Sequence, residues 1–273
     1  MRIAFCSISA LDRPLAAAAE LARGAGLDAI EVTAHRPHLD PEAGIEAARE
    51  AGRAVRAAGV EPITYGSYLG RFGRITAAHA ERDAAVASAL GAPLLRVWAE
   101  PLVEGQTDPA PTVALLRAAA DAARADGTTV VIERHIGSFA DTPERIDALL
   151  DAIDRPNLAL NYQVLDALPP HMAAAQPDDA ARLVRHARYI HLKNYFPSAD
   201  GSHLQLGASL ERGALDYRAI LGAAVRAGYR GPLTIEFLSG EPKPIEEKLA
   251  ADVAFVRSVL ADLGLATTGG ASA

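Results

Sequence analysis

The stretch TVALLRAAADAARADGTTVVIERH, Thr112–His135, decides the fold. Thr112–Ala125 is rich in Ala, Leu and Arg, with apolar residues recurring at helical spacing. Gly127 follows where a helix end favours a left-handed residue. Thr129–Ile132 is a short β-branched apolar run of strand length, and it ends on the polar trio Glu133-Arg134-His135. A helix, a glycine stop, a buried strand and a polar strand end make one α/β unit.

The unit recurs on both sides. Strands are read at Ile3–Ser7, Ala29–Thr33, Pro62–Tyr65, Leu94–Val97, Thr129–Ile132, Leu158–Asn161, Tyr189–Leu192 and Leu233–Glu236. Helices lie near Pro14–Arg23, Pro41–Ala58, Ala77–Leu90, Thr112–Ala125, Pro143–Ile153, Asp178–His186, Tyr217–Ala227 and Ile245–Leu263. Asp12, Asp40, Thr142 and Asp216 are N-cap candidates, and Pro14, Pro41 and Pro143 sit in first turns. Gly24, Gly59, Gly91 and Gly228 fall just past helix ends, like Gly127. Eight alternating units admit an open doubly wound sheet or a closed barrel. The loop after the first strand, Ser7-Ile8-Ser9-Ala10-Leu11-Asp12, lacks G-x-G-x-x-G, which disfavours a nucleotide-binding sheet. The reading is an α/β protein, a (β/α)₈ TIM barrel of one domain over residues 1–265, with a disordered tail at 266–273.

Composition bounds the function. Half of the 273 residues are apolar, enough for a large core, and the net charge of −7 argues against a nucleic-acid partner. No run of 18 apolar residues is present, so no membrane span is expected, and the N-terminus lacks the features of a signal peptide. The single cysteine, Cys6, excludes an internal disulfide and reads as a small buried hydrophobe. A cytoplasmic location fits, and a homo-oligomer is compatible.

Barrel active sites are built at strand C-termini. Here those positions carry Glu31, Glu133, Gln163, His191 and Glu236. Glu133, Gln163, His191 and Glu236 come from four consecutive strands. Their oxygens and one imidazole make a donor set for a divalent metal, Mn²⁺ or Mg²⁺ first, Co²⁺ or Zn²⁺ next. Against this stands the plainer reading of Glu133 and Glu236 as rim ion pairs to Arg96 or Arg134. His135, two residues after Glu133, points to the same side and is a substrate-binding candidate. So are Arg96, which needs a partner such as Glu31 or a substrate anion, and His35 in the loop after strand two. Trp98 is either a sugar-stacking platform or a core residue. Lys193 is either an electrostatic stabiliser at the mouth or a side chain that reaches solvent. The loop Gly66–Arg74, with Arg71 and Arg74, is either a lid or a solvated connection.

The chain resembles the sugar phosphate isomerase/epimerase superfamily of xylose-isomerase-like barrels. The likeness runs from Met1 to about Leu263 and rests on Met1-Arg2-Ile3-Ala4-Phe5, Leu27-Asp28-Ala29-Ile30-Glu31, Val130-Val131-Ile132-Glu133 and Tyr189-Ile190-His191-Leu192-Lys193. Most specific is Gly228-Tyr229-Arg230-Gly231-Pro232-Leu233-Thr234-Ile235-Glu236. The resemblance implies a metal held by Glu133, His191 and Glu236, with Gln163 standing where the family commonly has Asp. Asn194 likewise stands where the family often has Asp. It implies a small carbohydrate substrate and a metal-dependent isomerase or epimerase, with Glu133 and Glu236 as the catalytic acid and base. A lyase or dehydratase acting on an inosose or oxidised glycoside is the alternative. A non-catalytic binding barrel is a further one. A DNA-repair endonuclease of the same superfamily needs clustered histidines and a basic face, which eight scattered histidines and the net charge of −7 do not offer.

Overall fold

The computed structural model describes residues 1–267. Eight parallel strands close into a barrel: β1 (Ile3–Cys6), β2 (Ala29–Thr33), β3 (Glu61–Gly66), β4 (Leu94–Val97), β5 (Thr129–Glu133), β6 (Leu158–Tyr162), β7 (Ala187–Leu192) and, after a hairpin, β10 (Leu233–Ile235), which pairs with β1. The helices α1 (Leu15–Gly24), α2 (Ile45–Ala57), α3 (Ala77–Leu90), α4 (Ala110–Arg124), α5 (Pro143–Ile153), α6 (Gln176–Leu183), α7 (Tyr217–Arg226) and α8 (Ile245–Asp262) alternate with them. The TIM barrel read from the sequence is the fold observed.

Alternation along each strand positions the site. Ile3 and Phe5, Ile30 and Val32, Val130 and Ile132, and Leu233 and Ile235 join the large apolar core between barrel and helices. Their neighbours point the other way. Ala4, Ala29, Ile63 and Tyr189 form a separate small cluster, with Leu94 against it. One layer nearer the strand ends, the corresponding positions are Cys6, Glu31, Arg96, Glu133, Asn161, His191 and Glu236, all buried. The barrel is therefore apolar at the level of Tyr189 and charged just above it.

Several boundaries shift for local reasons. Thr142 and Asp216 cap α5 and α7, accepting from the amides of Arg145 at 3.3 Å and Ala219 at 3.0 Å. Asp40 does not cap α2. Its carboxylate accepts from the Glu42 amide at 2.9 Å, which closes a turn, and the helix begins only at Ile45. Asp12 does not cap α1, whose N-cap is Pro14. Gly24 ends inside α1, and Gly26 takes the left-handed conformation instead, at φ 75°. The strand expected to end at Glu236 ends at Ile235. An antiparallel hairpin of β8 (Asn194–Pro197) and β9 (Leu204–Ala208) follows β7. Its turn is tied by the Asp200 carboxylate, which accepts from Ser198 Oγ at 2.6 Å and the Ser202 amide at 3.0 Å. Most of the tail expected to be disordered lies outside the described residues.

Candidate active site at the barrel mouth

Glu31 is the hub of the buried charges. Its Oε2 accepts from Tyr189 Oη at 2.7 Å and from His191 Nε2 at 2.7 Å. Its Oε1 accepts from Arg96 Nε and Nη2 at 3.3 and 3.2 Å. Gly66 ends β3 beside this pair. A Cβ there would lie 2.4 Å from Glu31 Oε1 and 2.7 Å from Arg96 Nη2, so only glycine leaves room. Two further carboxylates flank the hub. Glu133 Oε2 lies 3.0 Å from Arg96 Nη1. Glu236 Oε2 lies 3.4 Å from His191 Nδ1 and 3.2 Å from Lys193 Nζ, and Lys193 also reaches Asp166 at 3.3 Å. Three buried carboxylates thus face two permanent cations and a histidine. This balance is what burial of so much charge requires.

The same neighbours move the proton affinities. Burial alone would lower the His191 pKa, but Glu236 and Glu31 raise it to about 10. Burial would raise the Glu236 pKa, yet His191 and Lys193 hold it below the usual carboxylate range. For Glu133, burial prevails over Arg96, and the nearby Glu236 adds to it, so its pKa is raised. Two carboxyls at one cleft are therefore displaced in opposite directions.

The metal-ligating set read from the sequence is brought together in part. Among the described residues, His191 and Glu236 offer donor atoms close to each other, whereas Glu133 belongs to no such group. Gln163 faces Glu133: its Nε2 donates to Glu133 Oε1 at 2.9 Å and to the Arg134 carbonyl at 2.8 Å. Asn161, which the sequence reading passed over, is the β6 side chain against His191, with its amide 3.3 Å from Nδ1. Strand alternation is the signal that finds it, because Ala159, Asn161 and Gln163 share a face. At this site Asn161 Oδ1 and Gln163 Oε1 are buried without a hydrogen-bond partner, whereas Glu133 Oε2 and Glu236 Oε2 are held by ion pairs, to Arg96 and to Lys193 and His191. His191 has Nε2 engaged by the Glu31 carboxylate and Nδ1 facing Glu236 and the Asn161 amide, the arrangement that orients a metal-binding imidazole. His191 and Glu236, with the Asn161 amide beside them, are donors of types that suit a divalent cation.

Above these groups lies a cavity of about 380 Å³, lined on its polar side by Arg96, Glu133, His135, Asp166, Lys193 and Glu236. Tyr68, Phe72, Trp98 and Phe237 supply an aromatic wall. Trp98 is nearly buried and donates Nε1–H to the Ser67 carbonyl at 3.0 Å. Its ring carries the Arg71 guanidinium at 4.2 Å and has Tyr68 stacked at 6.3 Å. His135 packs edge-on to Trp98 at 5.0 Å, and burial with Arg71 lowers its pKa. His35 is exposed at the rim. Lys193 does not reach solvent; it is buried between Asp166 and Glu236. Arg71 and Arg74, which the sequence puts in one loop read as either a lid or a solvated connection, part company. Arg71 lines the cavity and meets Glu100 at 3.2 Å, while Arg74 is buried against Asp83 and Glu42. Asp166, between Lys193 and Tyr195 Oη, was also missed by the sequence reading, since it lies in a loop beyond β6 without periodicity.

The family model described as a xylose isomerase-like TIM barrel matches residues 19–259. No curated protein matches the sequence. Among solved structures, a xylose isomerase domain protein from Planctomyces limnophilus has a TM-score of 0.74 at 19% identity, over 97% of this chain and 98% of its own. A xylose isomerase-like TIM barrel protein from Mycobacterium smegmatis, in complex with magnesium, has a TM-score of 0.71 at 19% identity, over 96% and 97%. A D-allulose 3-epimerase from Methylomonas sp. has a TM-score of 0.71 at 19% identity, over 95% and 98%. At such identity the likeness to these structures is one of fold.

Proposed function

The chain belongs to the xylose isomerase-like TIM barrel family, and from that premise we propose that it is a divalent-metal-dependent isomerase or epimerase of a small sugar or keto-polyol. The observation that carries this reading is geometric: the carboxyls of Glu133 and Glu236 reach one cavity from different strands, beside Arg96, Lys193 and His191. Carboxyls pushed apart in pKa take the acid and base roles of a proton transfer. Glu236, held as the anion, removes the proton from the carbon next to the carbonyl. The C–H electron pair becomes the double bond of an enediolate. Glu133, on a different strand, returns a proton to that carbon from the other side and inverts it. Delivery to the neighbouring carbon gives the isomer instead. Lys193 and Arg96 are fixed positive charges beside the carboxylates and oppose the negative charge that develops on substrate oxygen. His135, with its lowered pKa, and the rim residue His35 orient hydroxyls. Trp98, Tyr68 and Phe72 keep water from the wall.

His191, Glu236, Glu133 and the amides of Asn161 or Gln163 would hold the cation, which when bound would supply Lewis-acid polarisation of the substrate carbonyl. The test is turnover of keto sugars with product analysis and substrate deuterated at the reacting carbon. Glu133→Gln and Glu236→Gln should each slow turnover by about 10²-fold or more. Both variants working at the native rate would overturn the mechanism. A product lacking a β-substituent would move the protein to the lyase reading with the same proton-removing group.

A further inference from the structure

We propose that Cys6 is a ligand of this metal centre and turns its preference towards borderline-soft cations, Zn²⁺ or Co²⁺, over Mg²⁺. The proposal rests on the reading of the site as a metal centre and adds a thiolate to it. Cys6 is the last residue of β1 and lies in register beside Glu31. Alternation sends Ile3 and Phe5 into the core under the helices and turns Ala4 and Cys6 into the barrel. Cys6 is fully buried, yet it joins neither apolar cluster. Its surroundings are not only apolar: Glu31 is its partner in register, and His191 and Glu236 bring donor atoms within 4.8 Å.

Two independent observations place a ligand here. Sγ of Cys6, a ring nitrogen of His191 and a carboxylate oxygen of Glu236 all lie within 4.8 Å of one another, the one such group of three among the described residues. In addition, Asn161, whose amide nitrogen lies 3.3 Å from His191 Nδ1, has its Oδ1 buried without a hydrogen-bond partner. One sulfur, one nitrogen and one oxygen, from the ends of three strands, give the centre the mixed donors that zinc takes. Mg²⁺ takes oxygen donors and gains nothing from sulfur. On coordination the S–H bond gives way to a metal–sulfur bond, and the proton leaves to solvent.

Cobalt reports on sulfur directly. The full chain, stripped by chelator, is titrated with Co²⁺ while calorimetry and near-ultraviolet absorbance are followed. One Co²⁺ per chain with a thiolate-to-cobalt charge-transfer band is expected, and excess Zn²⁺ but not excess Mg²⁺ should displace it. Cys6→Ser and Cys6→Ala should bind Co²⁺ more weakly and lose the band. Because Cys6 is the only cysteine in the chain, the wild-type spectrum decides the matter even if both variants fail to fold. Cobalt bound without the band overturns the ligation by Cys6 and leaves the metal reading standing. Calorimetry showing no binding of Co²⁺, Zn²⁺, Mn²⁺ or Mg²⁺ overturns both.

Discussion

Glu31 receives hydrogen bonds from Tyr189 and His191 on β7 and from Arg96 on β4. Removing it strands Arg96 and His191 inside the barrel with less compensating charge. Glu31→Ala should cost about 3–5 kcal/mol of stability in urea unfolding. A loss below 1 kcal/mol would show that the network rearranges around the gap. A second residue tests burial far from the cleft. Asp252 on α8 is buried and accepts from the Leu210 amide at 2.9 Å, but burial wins and raises its pKa to about 6. The folded state thus holds this proton more tightly than the unfolded chain. The stabilisation is complete below the unfolded pKa near 4 and is lost as pH rises through 6. Asp252→Asn keeps the acceptor and removes the titration. Its stability relative to wild type should improve by about 2 kcal/mol between pH 4 and pH 7. Parallel stability curves for the two proteins would contradict the raised pKa.

At the scale of elements, the connection from β3 to α3 does two jobs that one sequence motif conceals. Arg71 packs on Trp98 at the cavity, whereas Arg74 is buried against Asp83 at the base of the loop. Arg71→Ala should raise KM for a verified substrate with little change in Tm. Arg74→Ala should cost about 3–5 kcal/mol by leaving Asp83 buried and unpaired, with KM of the folded fraction unchanged. The reverse pattern would exchange the roles assigned here. At the end of the same loop, Thr76 caps α3 in a capping box with His79. α3 itself was legible because Gly91 gives it a left-handed stop, at φ 79°. The hairpin after β7 was not legible. Pro197 and Asp200-Gly201-Ser202 are residue types that interrupt strands, and two short strands that pair only with each other show no long-range pattern.

At the scale of the whole molecule, closure of the barrel makes one site from the ends of many strands. The metal reading predicts a global response. A cation that binds only the folded chain should stabilise it by about 2.7 kcal/mol at a hundredfold excess over its Kd. Thermal melts with Co²⁺ or Mn²⁺ should therefore show a raised Tm that chelator reverses. His191→Ala should abolish the shift. Identical melts with and without metal would count against the site.

The sequence alone determined the α/β alternation, the eight barrel strands and the polar positions at or just past their C-terminal ends, because a run of apolar residues closed by a polar one is a local pattern. It named Glu133, His191 and Glu236 as well as Arg96 for the same reason. Which side chains touch was settled only by tertiary structure. Cys6, Glu31 and Asn161 belong to β1, β2 and β6, and their meeting with His191 depends on strand register and barrel closure rather than on neighbours in the chain. Cys6 reads as a small buried hydrophobe and is fully buried, but only the fold sets it beside Glu31 and within reach of His191 and Glu236. Likewise Lys193 reads as a solvent-seeking side chain until Asp166 and Glu236 close around it, since the charge that keeps a lysine buried comes from distant segments.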